Sequence, residues 1–231
     1  MNIVLKKLVA AAPGFPILIL LIESVTGWGS PGRPDRVLAA EAALNLVPLL
    51  AFIAVGTLKM RQRHLADSLV QASFYIYLWG VLHWTLLPLP FADIYRSAAD
   101  SSLVGEVLSR LELMCHPGLG WINLVPFHKF EIYSPFHLQV TGNLALLLPL
   151  GIFLPLLCRK VKTPLRVLAA AFLASLAIET MQMIFTLASP LYHRTFDVDD
   201  IMLNTLGAGL GYGLYRLAGA LWTSMRRGAG G

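Results

Sequence analysis

The sequence predicts an all-α integral membrane protein with about six transmembrane helices and one further helix in a long connecting loop. Of its 231 residues, 56% are apolar and only 13% are charged, and the mean hydropathy is +0.66. About a quarter of the residues in an average soluble domain are charged. The composition therefore excludes an ordinary water-soluble domain, and it argues against nucleic-acid binding despite a formal net charge of +5.

Six apolar stretches are long enough for membrane helices, since the hydrocarbon core of a bilayer requires about 20 helical residues. The first contains Pro13, Gly14 and Pro16 and is expected to break there. Lys6 and Lys7 resemble the start of a signal peptide, but no small-residue cleavage motif follows closely, so we expect a retained helix. The predicted spans are 8–25, 41–58, 68–88, 139–157, 165–187 and 199–222.

Lysine and arginine residues are distributed unequally between the two predicted sides of the membrane. With the N-terminus inside, 12 of the 18 basic residues lie on the inner side. Because cytoplasmic loops are enriched in Lys and Arg, we predict a multi-pass protein of the bacterial cytoplasmic membrane with both termini in the cytoplasm. Cys115 and Cys158 then lie on opposite sides and cannot pair with each other.

The connection at 91–138 is predicted to lie outside the cell and to contain a helix on the outer leaflet or a lid. Apolar residues recur there at helical spacing, at Leu103, Val107, Leu111 and Met114. Trp121 and Phe127 belong to an aromatic run that fits either the headgroup region or the mouth of a ligand site. The single membrane domain is thus divided into a three-helix segment at 1–90, this outer loop, and a three-helix core at 139–231.

Polar side chains of the predicted spans gather within about 12 Å of the outer boundary, at a rise of 1.5 Å per residue. Glu179 is the most informative, because a buried charge costs at least about 2.5 kcal/mol on insertion scales and needs a partner or a cavity. The amides either bond to one another across helices or line a polar chamber open to the outside. The candidates for this chamber are Asn143, Glu179, Gln182, Asp200 and Asn204.

The segment 193–200, His-Arg-Thr-Phe-Asp-Val-Asp-Asp, has the highest density of charge. Asp197 is a candidate N-cap of the last helix, and the two following aspartates would complement its dipole. Two interpretations stay open: caps with a local Arg194 ion pair, or a site for a cation or a cationic ligand group. Asp197, Asp199 and Asp200 are weak candidates for a divalent metal, because their spacing matches neither an EF-hand nor HExxH, and no cofactor is predicted.

Glycines follow the polar residues of the last predicted helix, in the run Gly207-Ala-Gly-Leu-Gly-Tyr-Gly213. Two overlapping pairs are spaced four residues apart, Gly207 with Gly211 and Gly209 with Gly213. No strand precedes the run, which argues against a dinucleotide-binding loop. We therefore predict that the backbone of another helix approaches these glycines closely.

Four motifs occur in order in the second half of the chain. They are Asn123-Leu-Val-Pro-Phe127, Gly142-Asn-Leu-Ala-Leu-Leu-Leu-Pro-Leu-Gly151, Ser175-Leu-Ala-Ile-Glu-Thr-Met-Gln182 and Arg194-Thr-Phe-Asp-Val-Asp-Asp-Ile-Met-Leu-Asn-Thr-Leu-Gly-Ala-Gly-Leu-Gly-Tyr212. In order and spacing these motifs resemble the VanZ-like family of bacterial membrane proteins, and the last motif is the most specific.

This resemblance implies a cell-envelope protein, because the family takes its name from a protein associated with resistance to the glycopeptide teicoplanin. It does not imply a molecular activity. The polar signature of the family corresponds here to Asn143, Glu179, Gln182, Arg194, Asp197, Asp199, Asp200 and Asn204.

Three functions are compatible with these residues. The first, which we favour, is the binding or movement of an amphiphile, such as a lipid, a lipid-linked cell-wall intermediate or a lipoglycopeptide. The second is an intramembrane hydrolase or transferase, with Glu179 as general base, a metal at Asp199 and Asp200, and Arg194 stabilising negative charge. The third is a non-catalytic scaffold. The ligand-binding candidates are Asn143, Glu179, Gln182, Arg194, Asp197, Asp200, Asn204, Trp121 and Phe127.

Overall fold

The computed structural model describes residues 2–26, 35–100, 102–115, 122–127, 137–189 and 191–228, and these residues are mainly helical. The helices are α1 (Ile3–Ala11), α2 (Gly14–Thr26), α3 (Arg36–Lys59), α4 (Leu65–Thr85), α5 (Phe91–Ala99), α6 (Leu103–Met114), α7 (Leu138–Leu146), α8 (Leu148–Leu157), α9 (Pro164–Ala188) and α10 (Val198–Gly228). Two short strands, β1 (Ile122–Asn123) and β2 (Phe196–Asp197), pair in parallel. The predicted all-α class is confirmed.

Four helical segments of the described chain are long and apolar enough to cross a membrane: α3, α4, α9 and the combined α7–α8 segment Leu138–Leu157. Helices α1 and α2 meet the same criteria as a pair that is bent by 56°, and the break falls at Pro13, as predicted. The predicted sixth span is helical as part of α10. It is not among these candidates, because Asn204, Arg216 and several glycines lower its hydropathy.

Large apolar side chains cover the outside of these helices. Leu138 is 82% exposed, Leu165 77% and Trp84 76%. A soluble protein rarely leaves contiguous apolar surface of this kind in contact with water, whereas lipid is a suitable neighbour for it. The long apolar helices and their apolar exteriors therefore indicate a membrane protein.

Contacts divide the chain into two compact units. Unit 1 comprises Met1–Leu119 and Met181–Arg194, and unit 2 comprises Gly120–Thr180 and Thr195–Gly231. The division passes through α9, between Thr180 and Met181. The boundaries predicted from the sequence, at residues 90 and 138, follow chain order, whereas these units are defined by contacts.

In unit 1, α2 packs against α3 and α1 packs against α4. The buried core at this packing consists of Ile17, Leu46, Leu49, Ile53 and Tyr75. At the other end of α3, the Lys7 ammonium donates a hydrogen bond to the carbonyl of Leu58 at 3.1 Å. A basic side chain of α1 thus binds the carboxyl end of α3, where carbonyl groups lack helical partners.

The predicted helix in the long connection is confirmed as α6. Its residue Glu106 bonds to several neighbouring side chains. Glu106 accepts hydrogen bonds from the hydroxyls of Ser102 at 2.7 Å and Ser97 at 3.2 Å. It also forms an ion pair of 3.0 Å with Arg110, whose guanidinium donates to the carbonyl of Leu187 in α9 at 3.0 Å. The Ser102 hydrogen bond, followed by the weaker contributions of Ser97 and Arg110, lowers the pKa of Glu106 below its usual range.

In unit 2, α10 packs closely against α7 and α8 through glycines. A Cβ atom on Gly207 would lie 1.9 Å from the carbonyl oxygen of Leu144, and one on Gly211 would lie 1.9 Å from that of Leu148. The close approach predicted for this pair is therefore confirmed. The second pair differs, because a Cβ on Gly209 would meet only a side chain, at 3.2 Å, and one on Gly213 would meet nothing within 4 Å.

Replacing Gly207 by alanine should destabilise unit 2 strongly, because the new methyl group would collide with backbone, which cannot rotate away. Overpacking of this kind typically costs about 1–3 kcal/mol. Gly213→Ala is the matched control on the same helix and should be neutral or stabilising by up to about 1 kcal/mol. Unfolding of both purified variants in detergent measures the difference. Equal stability of Gly207→Ala and Gly213→Ala would contradict the packing.

Candidate functional site

The parallel pairing of β1 and β2 brings two distant parts of the chain together in unit 2. Ile122 lies opposite Phe196, and Asn123 lies opposite Asp197. The side-chain amide of Asn123 donates a hydrogen bond of 2.9 Å to Oδ1 of Asp197. The Asn123 motif is thereby joined to the acidic segment that precedes α10.

Asp197 is the N-cap of α10, as the sequence predicts. Its Oδ1 accepts a hydrogen bond of 2.8 Å from the backbone N–H of Asp199, in the first turn of the helix. Its own backbone N–H donates to Oε2 of Glu179 at 3.1 Å. Both carboxyl groups are buried, with Asp197 6% and Glu179 3% exposed. The Glu179 carboxyl therefore satisfies a backbone donor at the end of β2.

Asp199 holds the turn that contains Phe127. Its side chain is fully buried, and its Oδ1 accepts a hydrogen bond of 2.6 Å from the N–H of Phe127. Phe127 has a φ of 70°, a left-handed conformation that is unfavourable for a bulky residue and needs support from its surroundings. The turn leaves the Phe127 side chain 59% exposed.

Two amides connect α10 to neighbouring helices. The side-chain amide of Asn143 in α7 donates to Oδ1 of Asp200, and both residues are half-buried. One turn further along α10, the amide of Asn204 donates to the hydroxyl of Ser175 in α9 at 2.9 Å. The side-chain oxygen of Asn204 is buried and accepts no hydrogen bond from the residues that the structure describes, which leaves an acceptor open for a small donor such as water.

Gln182 and Arg194 belong to unit 1 and have their contacts there. The Gln182 amide donates to the carbonyl of Thr85 at 2.9 Å. The backbone N–H and carbonyl of Arg194 both bond to the hydroxyl of Thr186 at 3.0 Å, and its exposed guanidinium donates to the carbonyl of Trp84 at 3.2 Å. In the described ranges, the arginine–carboxylate ion pairs are those of Arg96 and Arg110, so the predicted local ion pair of Arg194 is not found there.

The structure thus brings seven of the predicted site residues into one unit: Phe127, Asn143, Glu179, Asp197, Asp199, Asp200 and Asn204. Trp121 lies outside the described residues. Two partners of this network, Asn123 and Ser175, were missed as site residues. The sequence signal for Asn123 is its position at the start of the first motif. The signal for Ser175 is its position four residues before Glu179, which places Ser175 and Glu179 on one face of α9.

An apolar groove of about 630 Å³ adjoins this network in unit 2. Three of its lining residues are sequence neighbours of the polar residues just described: Leu124 follows Asn123, and Phe196 and Val198 flank Asp197. The other wall residues come from α9 and α10, and they are Leu168, Phe172, Leu176, Ile201, Met202, Thr205 and Leu206. The groove thus borders the chain segments that carry Asn123 and Asp197, while its own lining residues, apart from Thr205, are apolar.

The site offers carboxylate and amide groups for hydrogen bonding and, beside them, an apolar groove. Across the described residues, no three His, Cys, Asp or Glu side chains are grouped as ligands for a metal ion. Asp197 and Asp199 direct their oxygens to separate backbone and amide donors, which explains why their closeness in sequence does not produce a common metal site. The half-buried Asp200 and Asn143 are the polar groups of this network that are more accessible to a ligand.

The helical fold, its long apolar helices and this partly polar site define a multi-helix membrane protein with a side-chain network at one helix end. A sequence model of the VanZ/LLP1 family matches residues 72–219. The chain therefore belongs to the VanZ/LLP1 family. The match begins within α4 and includes α5 and α6, so it extends further than the four motifs. Searches among curated proteins and among solved structures found no significant match.

Asp197→Ala should destabilise unit 2 by about 1–3 kcal/mol, because it removes the α10 cap and leaves the amide of Asn123 without its acceptor. Asp197→Asn, which retains Oδ1, should cost less. Thermal unfolding of the purified variants in detergent provides the measurement. If Asp197→Ala unfolds at the same temperature as the unmodified protein, Asp197 does not have this structural role.

Proposed function

We propose that this VanZ/LLP1-family protein binds, or moves, an amphiphile such as a lipid, a lipid-linked cell-wall intermediate or a lipoglycopeptide. The observation that carries the proposal is the 630 Å³ apolar groove along α9 and α10, whose lining residues Phe196 and Val198 flank the buried Asp197 at the start of α10. Ligand sites of this kind combine mainly apolar walls with a few placed polar groups. The apolar chain of the ligand would lie along α9 and α10.

The polar group of the ligand would reach past the start of α10 to Asp200 and Asn143, which do not themselves line the groove. Because a carboxylate accepts hydrogen bonds and attracts positive charge, hydroxyl-rich or cationic headgroups suit this end of the groove. Phe127, whose exposed side chain belongs to the same network, would contact an apolar part of the headgroup region. Sugar hydroxyls and ammonium groups both occur on cell-envelope amphiphiles.

The proposal includes teicoplanin-type resistance, because a lipoglycopeptide carries an acyl chain and sugars on one molecule. The acyl chain is chemically compatible with the groove, and the sugar hydroxyls are compatible with Asp200 and Asn143. The support is that the chain belongs to the VanZ/LLP1 family and has both an apolar groove and polar groups suited to sugar hydroxyls.

We further propose a multi-pass protein of the bacterial cytoplasmic membrane with both termini in the cytoplasm. The support is the distribution of the 18 basic residues, of which 12 lie on the proposed inner side. Both cysteines are free, with Cys115 exposed at the end of α6 and Cys158 partly buried after α8.

Cysteine labelling in intact cells checks this orientation. With Cys158 replaced by serine, Cys115 should react with a membrane-impermeant maleimide before the cells are permeabilised. A Cys115 that reacts only after permeabilisation would reverse the proposed topology. A second single-cysteine variant, Thr223→Cys with both natural cysteines replaced, should show the opposite behaviour.

Retention of labelled envelope lipids by the purified protein tests the proposed function. Thr205→Trp should fill the apolar groove, and Asp200→Ala should remove the polar acceptor, and each should lower retention at least about tenfold, or 1.4 kcal/mol. Leu210→Trp is the matched control, because Leu210 is exposed on the same helix and does not line the groove. In cells, Thr205→Trp should also remove any protection against teicoplanin.

Unchanged retention in both Thr205→Trp and Asp200→Ala would exclude this site. Release of a lipid product that is lost in Glu179→Gln would instead favour the hydrolase or transferase. The same assay tests Arg194, for which we propose an anionic ligand group because, within the described part of the chain, its exposed guanidinium donates one hydrogen bond, to the carbonyl of Trp84. Arg194→Lys keeps the charge but loses the planar fork, so retention should fall at normal membrane abundance.

A further inference from the structure

A second groove, of about 730 Å³, lies between α8 and α10 in unit 2. Its apolar walls include Ile152 and Leu156 of α8 and Leu214 of α10. It shares no lining residue with the groove of the proposed function. Within the described residues, Arg216 is the one charged residue that lines it.

Gly219 lines this groove without a side chain. A Cβ atom at Gly219 would meet no other atom within 4 Å, and the residue lines the groove together with Leu214 and Leu156. The helix surface is therefore recessed at this position. An acyl chain, which is flexible and narrow, suits a recess with such walls.

Arg216 has a neutral partner rather than a carboxylate. Its guanidinium donates a hydrogen bond of 3.2 Å to the hydroxyl of Tyr212. That hydroxyl donates in turn to the backbone carbonyl of Lys162 at 2.8 Å. Because α10 continues for 12 residues beyond Arg216, to Gly228, the arginine lies well inside a long helix at the level of the connection between α8 and α9.

The Arg216 guanidinium is exposed and permanently charged, so an anionic group is a favourable partner for it at the level of this connection. Arginine binds phosphate through its planar fork more specifically than lysine does. The connection between α8 and α9 adds Arg159, Lys160 and Lys162, which raises the local positive potential. The recess and this charge together match a molecule with an apolar chain and an anionic headgroup.

We propose that the groove between α8 and α10 binds an anionic phospholipid, with its phosphate at Arg216 and an acyl chain beside Gly219. This site is separate from that of the proposed function, because it involves different residues and the opposite headgroup charge. Its failure would therefore leave the amphiphile site at Asp200 and Thr205 unaffected.

Native mass spectrometry of the purified full-length protein tests the site, with phosphatidylglycerol and phosphatidylcholine of identical acyl chains as probes. The protein should bind phosphatidylglycerol at least about tenfold more tightly, because its net negative charge is attracted by Arg216 and the basic connection, whereas the choline cation of phosphatidylcholine cancels the charge of its phosphate and is repelled. Arg216→Gln should remove this preference, and Arg216→Lys should restore part of it. Gly219→Leu should weaken both lipids by filling the recess.

Two controls lie on the same helix. Gly213→Leu also enters open space but does not line the groove, and Arg226→Gln removes a cation that stacks on Trp222 at 4.9 Å. Both should bind phosphatidylglycerol as the unmodified protein does. Equal binding of the two lipids, or undiminished binding by Arg216→Gln, would overturn the proposal. Displacement of the lipid by millimolar inorganic phosphate would also overturn it, in favour of a free-anion site.

Discussion

The buried carboxylate of Asp197 is the interaction on which the candidate site depends. It caps α10 through the N–H of Asp199 and accepts the amide of Asn123 from the neighbouring strand. The backbone of the same residue donates to Glu179 in α9. One residue thus joins two helices and the β1 segment, and the low dielectric constant of the surroundings strengthens each of these bonds. The positions of Phe127 and the apolar groove follow from this junction.

Burying polar side chains in an apolar protein costs free energy, and in unit 2 hydrogen bonds to the backbone offset this cost. Glu179 and Asp199 accept hydrogen bonds from backbone N–H groups that no regular helix or sheet satisfies. Their burial therefore serves the structure directly. Asp200 and Asn143 are the more exposed members of the same network.

Local patterns predicted the parts of the molecule that depend on neighbouring residues. The break at Pro13, the helix at Leu103–Met114, the cap at Asp197 and the close approach at Gly207 all follow from short-range rules. The pairing of Asn123 with Asp197 did not, because it joins residues 74 positions apart through a two-residue strand. Gln182 and Arg194 shared motifs with Glu179 and Asp197, yet their contacts lie in the other unit. Residues that are close in sequence can therefore have their partners in different units, and the sequence does not reveal which partner each side chain binds.

The glycine contacts of α10 also determine how this half of the molecule can move. Gly207 and Gly211 place α10 against the backbone carbonyls of α7 and α8, and such backbone contacts leave no side chain that could rotate to permit sliding. These three helices should therefore behave as one rigid body. The portion of α9 in unit 2 is joined to α10 by side-chain bonds such as that of Asn204 to Ser175, with the apolar groove beside them. A widening of the apolar groove that lets the proposed ligand enter or leave would thus require a hinge motion of α9, while α7, α8 and α10 stay fixed relative to one another.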